Sequence, residues 1–277
     1  MTGSRDDHHE DHGGFGRDVP LLLDRRRALT LLGGVGLAGL VAACSGGDDA
    51  GSDSSATSTS AGDGGSSTTA GGSGDEIPDE TAGPFPADGT NGPDVLTLDG
   101  VVRSDITSSI GDLAGTAEGV PMVMELTVVE ASTGAALPGA AVYLWHCTAD
   151  GRYSVYEVED QNYLRGVQEA DADGKVTFTS VFPGCYPGRW PHAHFEVFDE
   201  LGSATSGRDA AKTSQLAVPQ ADCEAVYGDS RYGSSASNLS RLSLEGDGVF
   251  SDGYDDQLAT MAGSPGDGYT ATLLVRV

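Results

Sequence analysis

His192 and His194 stand two residues apart in Trp190-Pro191-His192-Ala193-His194-Phe195-Glu196-Val197. On a strand, side chains at i and i+2 share a face. The two imidazoles would then lie side by side, with Ala193 and Phe195 on the reverse. Paired imidazoles suit Fe, Cu or Zn, although two polar side chains on a solvated face give the same pattern. Glu196 continues the series, so an Fe(II) or Cu oxygenase centre of two histidines and one carboxylate is an alternative. Strand twist argues against it, because it carries a third side chain away from the first two. Tyr186 lies six residues before His192, in Pro183-Gly184-Cys185-Tyr186-Pro187-Gly188-Arg189. Tyr153 follows Trp145-His146-Cys147-Thr148-Ala149-Asp150-Gly151-Arg152. A phenolate is a hard anionic donor suited to ferric iron, and a bound cation lowers a tyrosine's pKa from about 10. Tyr143, Tyr156 and Tyr163 are nearby competitors; the place of Tyr153 after Asp150-Gly151-Arg152 favours it. His146 precedes that turn on a strand and is expected to be structural.

The elements that must position these groups read as strands. Short apolar or alternating runs recur at Met122–Val129, Ala140–His146, Lys175–Ser180, His192–Phe198, Ser214–Val218 and Thr270–Val277, punctuated by Gly, Pro and Asp. That density predicts an all-β fold, an antiparallel β-sandwich core with long loops. Asp171-Ala172-Asp173-Gly174 predicts a hairpin-type turn. Helix is expected only in small pieces, around Ala221–Tyr227 and Asp255–Met261. No internal repeat is visible.

The chain has 277 residues, and 42 acidic against 15 basic side chains leave a net charge of −27. That charge excludes binding to a phosphate backbone, which needs a positive field. Residues 1–24 are polar and hold His8, His9 and His12, read as part of a leader. Arg25-Arg26-Arg27 then precedes an uncharged run from Ala28 to Ala43, shorter than the roughly 18–20 residues of a spanning helix. The arginines resemble a twin-arginine export signal. Leu40-Val41-Ala42-Ala43-Cys44 resembles a bacterial lipobox, in which Cys44 would be lipidated; plain secretion with cleavage near Ala43 is the alternative. Residues 44–75 are Gly, Ser, Asp, Thr and Ala and read as a flexible tether. This organisation predicts a leader and signal peptide over 1–43, a linker over 44–75 and one domain over 76–277. The domain would be exported and anchored on the outer face of the cytoplasmic membrane, or else secreted. In that oxidising setting, Cys147, Cys185 and Cys223 predict one disulfide and one free thiol, with Cys185–Cys223 the favoured pair.

Taken together, the motifs resemble the intradiol ring-cleavage dioxygenases, the group that includes catechol and protocatechuate dioxygenases. Thr81-Ala82-Gly83-Pro84-Phe85, Leu137-Pro138-Gly139-Ala140, Trp145…Asp150-Gly151-Arg152-Tyr153, Asp173-Gly174…Phe178, Pro183-Gly184-Cys185-Tyr186-Pro187 and Pro191-His192-Ala193-His194-Phe195 carry the likeness, over roughly residues 80–220. The resemblance implies a β-sandwich and a non-haem Fe(III) held by Tyr153, Tyr186, His192 and His194. It also implies that Arg189 lies near the substrate and that Gln215 belongs to the active site. A catechol-type aromatic would chelate the metal through both oxygens and displace Tyr153, which can take up a proton. Both atoms of O2 would enter the ring, giving a muconate-type diacid. Export in the folded state would imply that the metal is acquired first. The competing class is a non-catalytic extracellular β-sandwich that binds carbohydrate or a protein partner and keeps a relic metal site. Residues Ala221–Asp267 align with nothing in the catabolic enzymes, and neither the particular catechol nor the oligomeric state is legible.

Overall fold

The computed structural model describes residues 74–277. The leader, the arginine cluster, the apolar run, Cys44 and the linker through residue 73 lie outside the described residues. Within those described, no helix is long and apolar enough to cross a membrane.

Alternation builds the first layer. Along β1 (Pro121–Val129), Met122, Met124, Leu126 and Val128 are buried while the residues between them are partly exposed. In β8 (Gly268–Arg276), Tyr269, Ala271, Leu273 and Val275 are buried in the same rhythm. With β4 (Lys175–Val181) and β7 (Thr260–Ser264) they form a sheet of order β4-β1-β8-β7. All its pairs are antiparallel except β1–β8, which is parallel. The second sheet, entirely antiparallel, has the order β3-β2-β5-β6, from β3 (Arg165–Glu169), β2 (Ala141–Trp145), β5 (His192–Phe198) and β6 (Lys212–Ala217).

The central strands β2 and β5 are buried at every position. A strand can be so only when both faces of its sheet are covered. Val142, Leu144, Ala193, Phe195 and Val197 fill the core between the sheets. On the outer face, Tyr143 and Trp145 meet a second apolar layer that includes Ala87, Val95, Cys147 and Tyr153. The outer face of β2 and β5 is therefore roofed by the 81–101 segment and the 147–164 loop. The two histidines are held beneath that roof.

Three expectations are corrected. The Asp171–Gly174 turn is not a hairpin: the strands it joins, β3 and β4, belong to different sheets, so it is a corner between them. Asp171 Oδ1 closes it by accepting from the amides of Asp173 and Lys175 at 2.9 Å. Helix forms at α1 (Gln220–Val226), close to its expected place, and at α2 (Ser235–Leu239), but not over Asp255–Met261. There the backbone pairs with the end of β6, Ala217 N donating to Gln257 O and Ala259 N to Ala217 O, and then enters β7. The Cys185–Cys223 disulfide is absent, and Cys147, Cys185 and Cys223 are buried free thiols. Their sulfurs face backbone carbonyls instead, Cys185 that of Arg189 at 3.7 Å and Cys223 that of Val218 at 3.9 Å.

Candidate metal centre

Strand geometry places the two histidines. His192 and His194 point to the outer face of β5, and their Nε2 atoms are 3.0 Å apart. His192 Nδ1 donates to the Trp190 carbonyl at 2.5 Å, which fixes the tautomer and leaves Nε2 with a lone pair directed into the site. The Trp145 ring lies flat against His194, 3° from parallel with centroids 4.9 Å apart. Two loops bring the tyrosines. The Tyr186 hydroxyl is 3.2 Å from His192 Nε2, and that of Tyr153 is 3.5 Å from both. All four residues expected from the sequence thus converge, with the donor atoms of the other three 3.0–3.5 Å from His192 Nε2.

The electrostatics of this cluster are those of neutral donors without a counter-charge. Burial, and then the neighbouring Tyr186, push the Tyr153 phenol well above its usual pKa. Burial, and then Arg189, push His192 down; burial, and then His192, push His194 down. In the chain alone the imidazoles are uncharged and Tyr153 keeps its proton. Among the described residues no three His, Cys, Asp or Glu side chains converge on a metal-sized space. The donors are two phenols and two imidazoles. Donors sharing one ion through bonds of about 2.0–2.1 Å stand roughly 3–3.5 Å apart, as these do. Two phenolates favour a hard, highly charged cation. The residues present therefore fit ferric iron.

The carboxylate alternative fails here. Glu196 is buried but turned toward Asp88: a methyl on Gly207 would collide with Asp88 Oδ2 and lie 3.0 Å from Glu196 Oε1. Burial and then Asp88 push the Glu196 carboxyl up to about 9. His146 is structural, with Nδ1 2.7 Å from Cys147 O and Nε2 2.7 Å from Ser180 Oγ. Gln215 stands opposite His194 in the β5–β6 register, accepting from Arg189 Nη2 at 2.6 Å and donating to Thr81 O at 2.8 Å. Arg189 and Gln215 thus belong to one buried polar group beside the four donors.

Two functional neighbours escape a reading of the sequence. Arg165 is buried and has no carboxylate in hydrogen-bond range among the described residues. It donates to the carbonyls of Phe85, Pro86 and Ser154 at 2.9–3.0 Å and to Ser154 Oγ at 3.0 Å. It ties the roof to the residue after Tyr153. Asp247 is the second, paired with Arg189 at 3.1 Å. Both lie more than 50 residues from some of their partners, and no local signal marks them.

A family model described as Dioxygenase matches residues 92–211, a span that holds Tyr153, Tyr186, Arg189, His192 and His194. The hydroxyquinol 1,2-dioxygenase of Corynebacterium glutamicum is 34% identical over 77 residues, 28% of this chain and 25% of that protein. The match therefore spans about a quarter of the curated relative's length. Among solved structures, an intradiol ring-cleavage dioxygenase from Tetranychus urticae is 25% identical with a TM-score of 0.52, covering 64% of this chain and 87% of that one. A further dioxygenase crystal structure is 23% identical with a TM-score of 0.57, over 73% and 94% of the two chains, and shows the same fold. The family model, the curated relative and the Tetranychus urticae structure agree, and the stretch from 92 to 211 is similar to the intradiol ring-cleavage dioxygenases.

Proposed function

We propose that this domain is a ferric intradiol dioxygenase that cleaves a catechol-type ring between its two hydroxylated carbons, adding both atoms of O2 to give a muconate-type diacid. One observation carries the proposal: the oxygens of Tyr153 and Tyr186 and Nε2 of His194 all lie 3.0–3.5 Å from Nε2 of His192. Tyr153, Tyr186, His192 and His194 would hold the iron. When bound, it supplies Lewis acidity toward the catechol oxygens and the electronic coupling that lets the ring react with O2.

The chain's own residues supply the rest. Tyr153 Oη is the atom to accept a proton from a catechol hydroxyl, since burial gives that oxygen a strong preference for its protonated form. His192 is kept in one tautomer by Trp190 O, and His194 in one plane by Trp145. Arg189, which interacts electrostatically with both phenols, would offer N–H donors to the bound substrate and is held by Gln215, itself tied to Thr81 O. Fixed donors of this kind stabilise charge that develops on the reacting oxygens. Phe85 packs at a tilt against Tyr153 and Tyr156, ring centroids 5.2 and 5.0 Å away, and would shield the site from water. The same reading has the domain exported through the arginine signal and tethered at Cys44, testable from the mass of the mature N-terminus.

Protein loaded with ferric iron is expected to be wine-red from tyrosinate charge transfer, with a broad visible band that moves when catechol is added. Oxygen should be consumed one for one with catechol. Tyr186→Phe should remove most of the band, and Glu196→Gln should leave it largely unchanged. A folded protein that stays colourless and takes up no iron overturns the reading in favour of a binding module.

A further inference from the structure

The family match ends at residue 211, yet the segment beyond it touches the site at several points. Tyr227 Oη donates to Pro183 O at 3.0 Å. Ser235 Oγ accepts from Cys185 N at 2.9 Å, and Asn238 Nδ2 donates to Cys185 O at 2.7 Å. Both peptide groups flanking Cys185 are thus held from α2, immediately before Tyr186. Four residues on, Asp247 takes over. Its Oδ2 accepts from Trp190 N at 2.7 Å and from Arg189 Nε at 3.1 Å; its Oδ1 accepts from Val249 N at 2.8 Å. Arg189 and Asp247 are both buried, 5% and 1% exposed, so the pair is shielded from solvent and from salt.

A guanidinium is a rigid planar fork. Asp247 fixes this one at Nε, and Gln215 Oε1 fixes it at Nη2. Phe250 lies against one face, its ring centroid 6.0 Å from Cζ. With those positions set, the plane cannot turn. Nη1 has no hydrogen-bond partner among the described residues and is not among the sealed, unpartnered atoms. It is the edge left over to meet a ligand. Tyr186 and Tyr153 both interact electrostatically with the guanidinium, so the group as a whole lies within reach of the phenol oxygens.

We propose that Asp247 is a positioning residue for ring cleavage: it locks the Arg189 guanidinium so that Nη1 is presented to the reacting oxygens. The inference rests on the dioxygenase reading above. It also gives the segment after residue 220 a role, as a clamp closed on the Tyr186–Trp190 turn.

The test is Asp247→Asn, which keeps the side-chain shape and one acceptor oxygen, enough for the Trp190 or the Val249 amide but not both, and removes the charge facing Arg189. In metal-free protein, 15N-resolved spectra should show the Arg189 Nε–H exchanging with water at least about tenfold faster than in the wild type. In the iron-loaded protein, kcat on catechol should fall roughly tenfold or more while KM stays within about threefold, as for an interaction made mainly in the transition state. The visible band should not move. In an Arg189→Gln background the kcat effect of Asp247→Asn should vanish, because the two act as one unit. If Asp247→Asn does not fold, Asp247→Glu, with the charge kept but one methylene displaced, should show the same kcat loss. Unchanged exchange, or unchanged kcat in a protein whose wild type turns over catechol, overturns the inference alone. An iron-loaded wild type that turns over no catechol overturns the dioxygenase reading and this inference with it.

Discussion

Tyr153, His192 and His194 are buried as neutral groups, and each histidine is oriented by one neighbour, Trp190 O for His192 and the Trp145 ring for His194. The histidine pair was legible because a strand has a period of two, so His192 and His194 had to share a face. Tyr153 and Tyr186 are legible only through the surrounding turns, since seven other tyrosines in the described domain look no different by type. Arg165 and Asp247 were not legible at all, because what defines them is a partner far away in sequence. Glu80, one residue before Thr81, is a similar case and makes a prediction. Burial first, and then Asp252, raise its carboxyl from 4.5 to about 7; Asp247 adds to this, while Gln257 and Arg189 oppose it. Below about pH 4.5 the group is protonated in both the folded and the unfolded chain. As pH rises toward 7 the unfolded chain gives up its proton first, so Glu80 costs stability across that window. Melting curves of Glu80→Gln and wild type should converge near pH 4.5 and separate by pH 7, with the variant more stable. Parallel curves would show that Glu80 is not the group responsible.

At the scale of elements, β1, β4, β5 and β8 follow from alternation or apolar runs, and the sandwich follows from them. β3 does not: Arg165-Gly166-Val167-Gln168-Glu169 shows no apolar period, because Arg165 is buried by hydrogen bonds and Gly166 by close packing against Ile106. The missed β3 is also why the Asp171 turn reads as a hairpin when it is a corner. The expected helix at Asp255–Met261 failed because β6 competes for its backbone groups, which no local propensity records. The turn carrying Tyr186 depends on a close backbone approach that only glycine allows. A Cβ at Gly184 would lie 2.7 Å from Thr148 O and collide with Ala149 O, and backbone cannot yield as a flexible side chain can. Gly184→Ala should therefore destabilise the domain by about 2–3 kcal/mol and weaken iron uptake by displacing Tyr186. Gly228, where an added methyl meets nothing, is the control. Gly228→Ala should be neutral or stabilising by a few tenths of a kcal/mol, up to about 1. Thermal unfolding of the two variants side by side decides it, and equal melting points would refute the packing argument.

For the molecule as a whole, the dominant quantity is charge. Of the net −27, the described residues 74–277 carry −22, from 32 acidic and 10 basic side chains, and surround the site with a negative field; within it Arg189 is balanced by Asp247. A neutral catechol approaches without regard to that field, whereas a catechol carrying a carboxylate must climb it. The two differ in their response to salt, because surface potentials are screened over about 10 Å at 0.1 M ionic strength and about 30 Å at 0.01 M. Long-range repulsion lowers the association rate and so kcat/KM, while leaving the chemistry at the bound ring unchanged. Raising salt from about 0.01 M to about 0.1 M should therefore raise kcat/KM for 3,4-dihydroxybenzoate several-fold, through KM, and leave that for unsubstituted catechol nearly constant. A matched rise for both substrates would point to an effect of salt on the protein itself. No change for the carboxylate substrate would show that Arg189, within the pocket, outweighs the field of the whole surface, which would make the local guanidinium rather than the global charge the determinant of which catechols the proposed dioxygenase accepts.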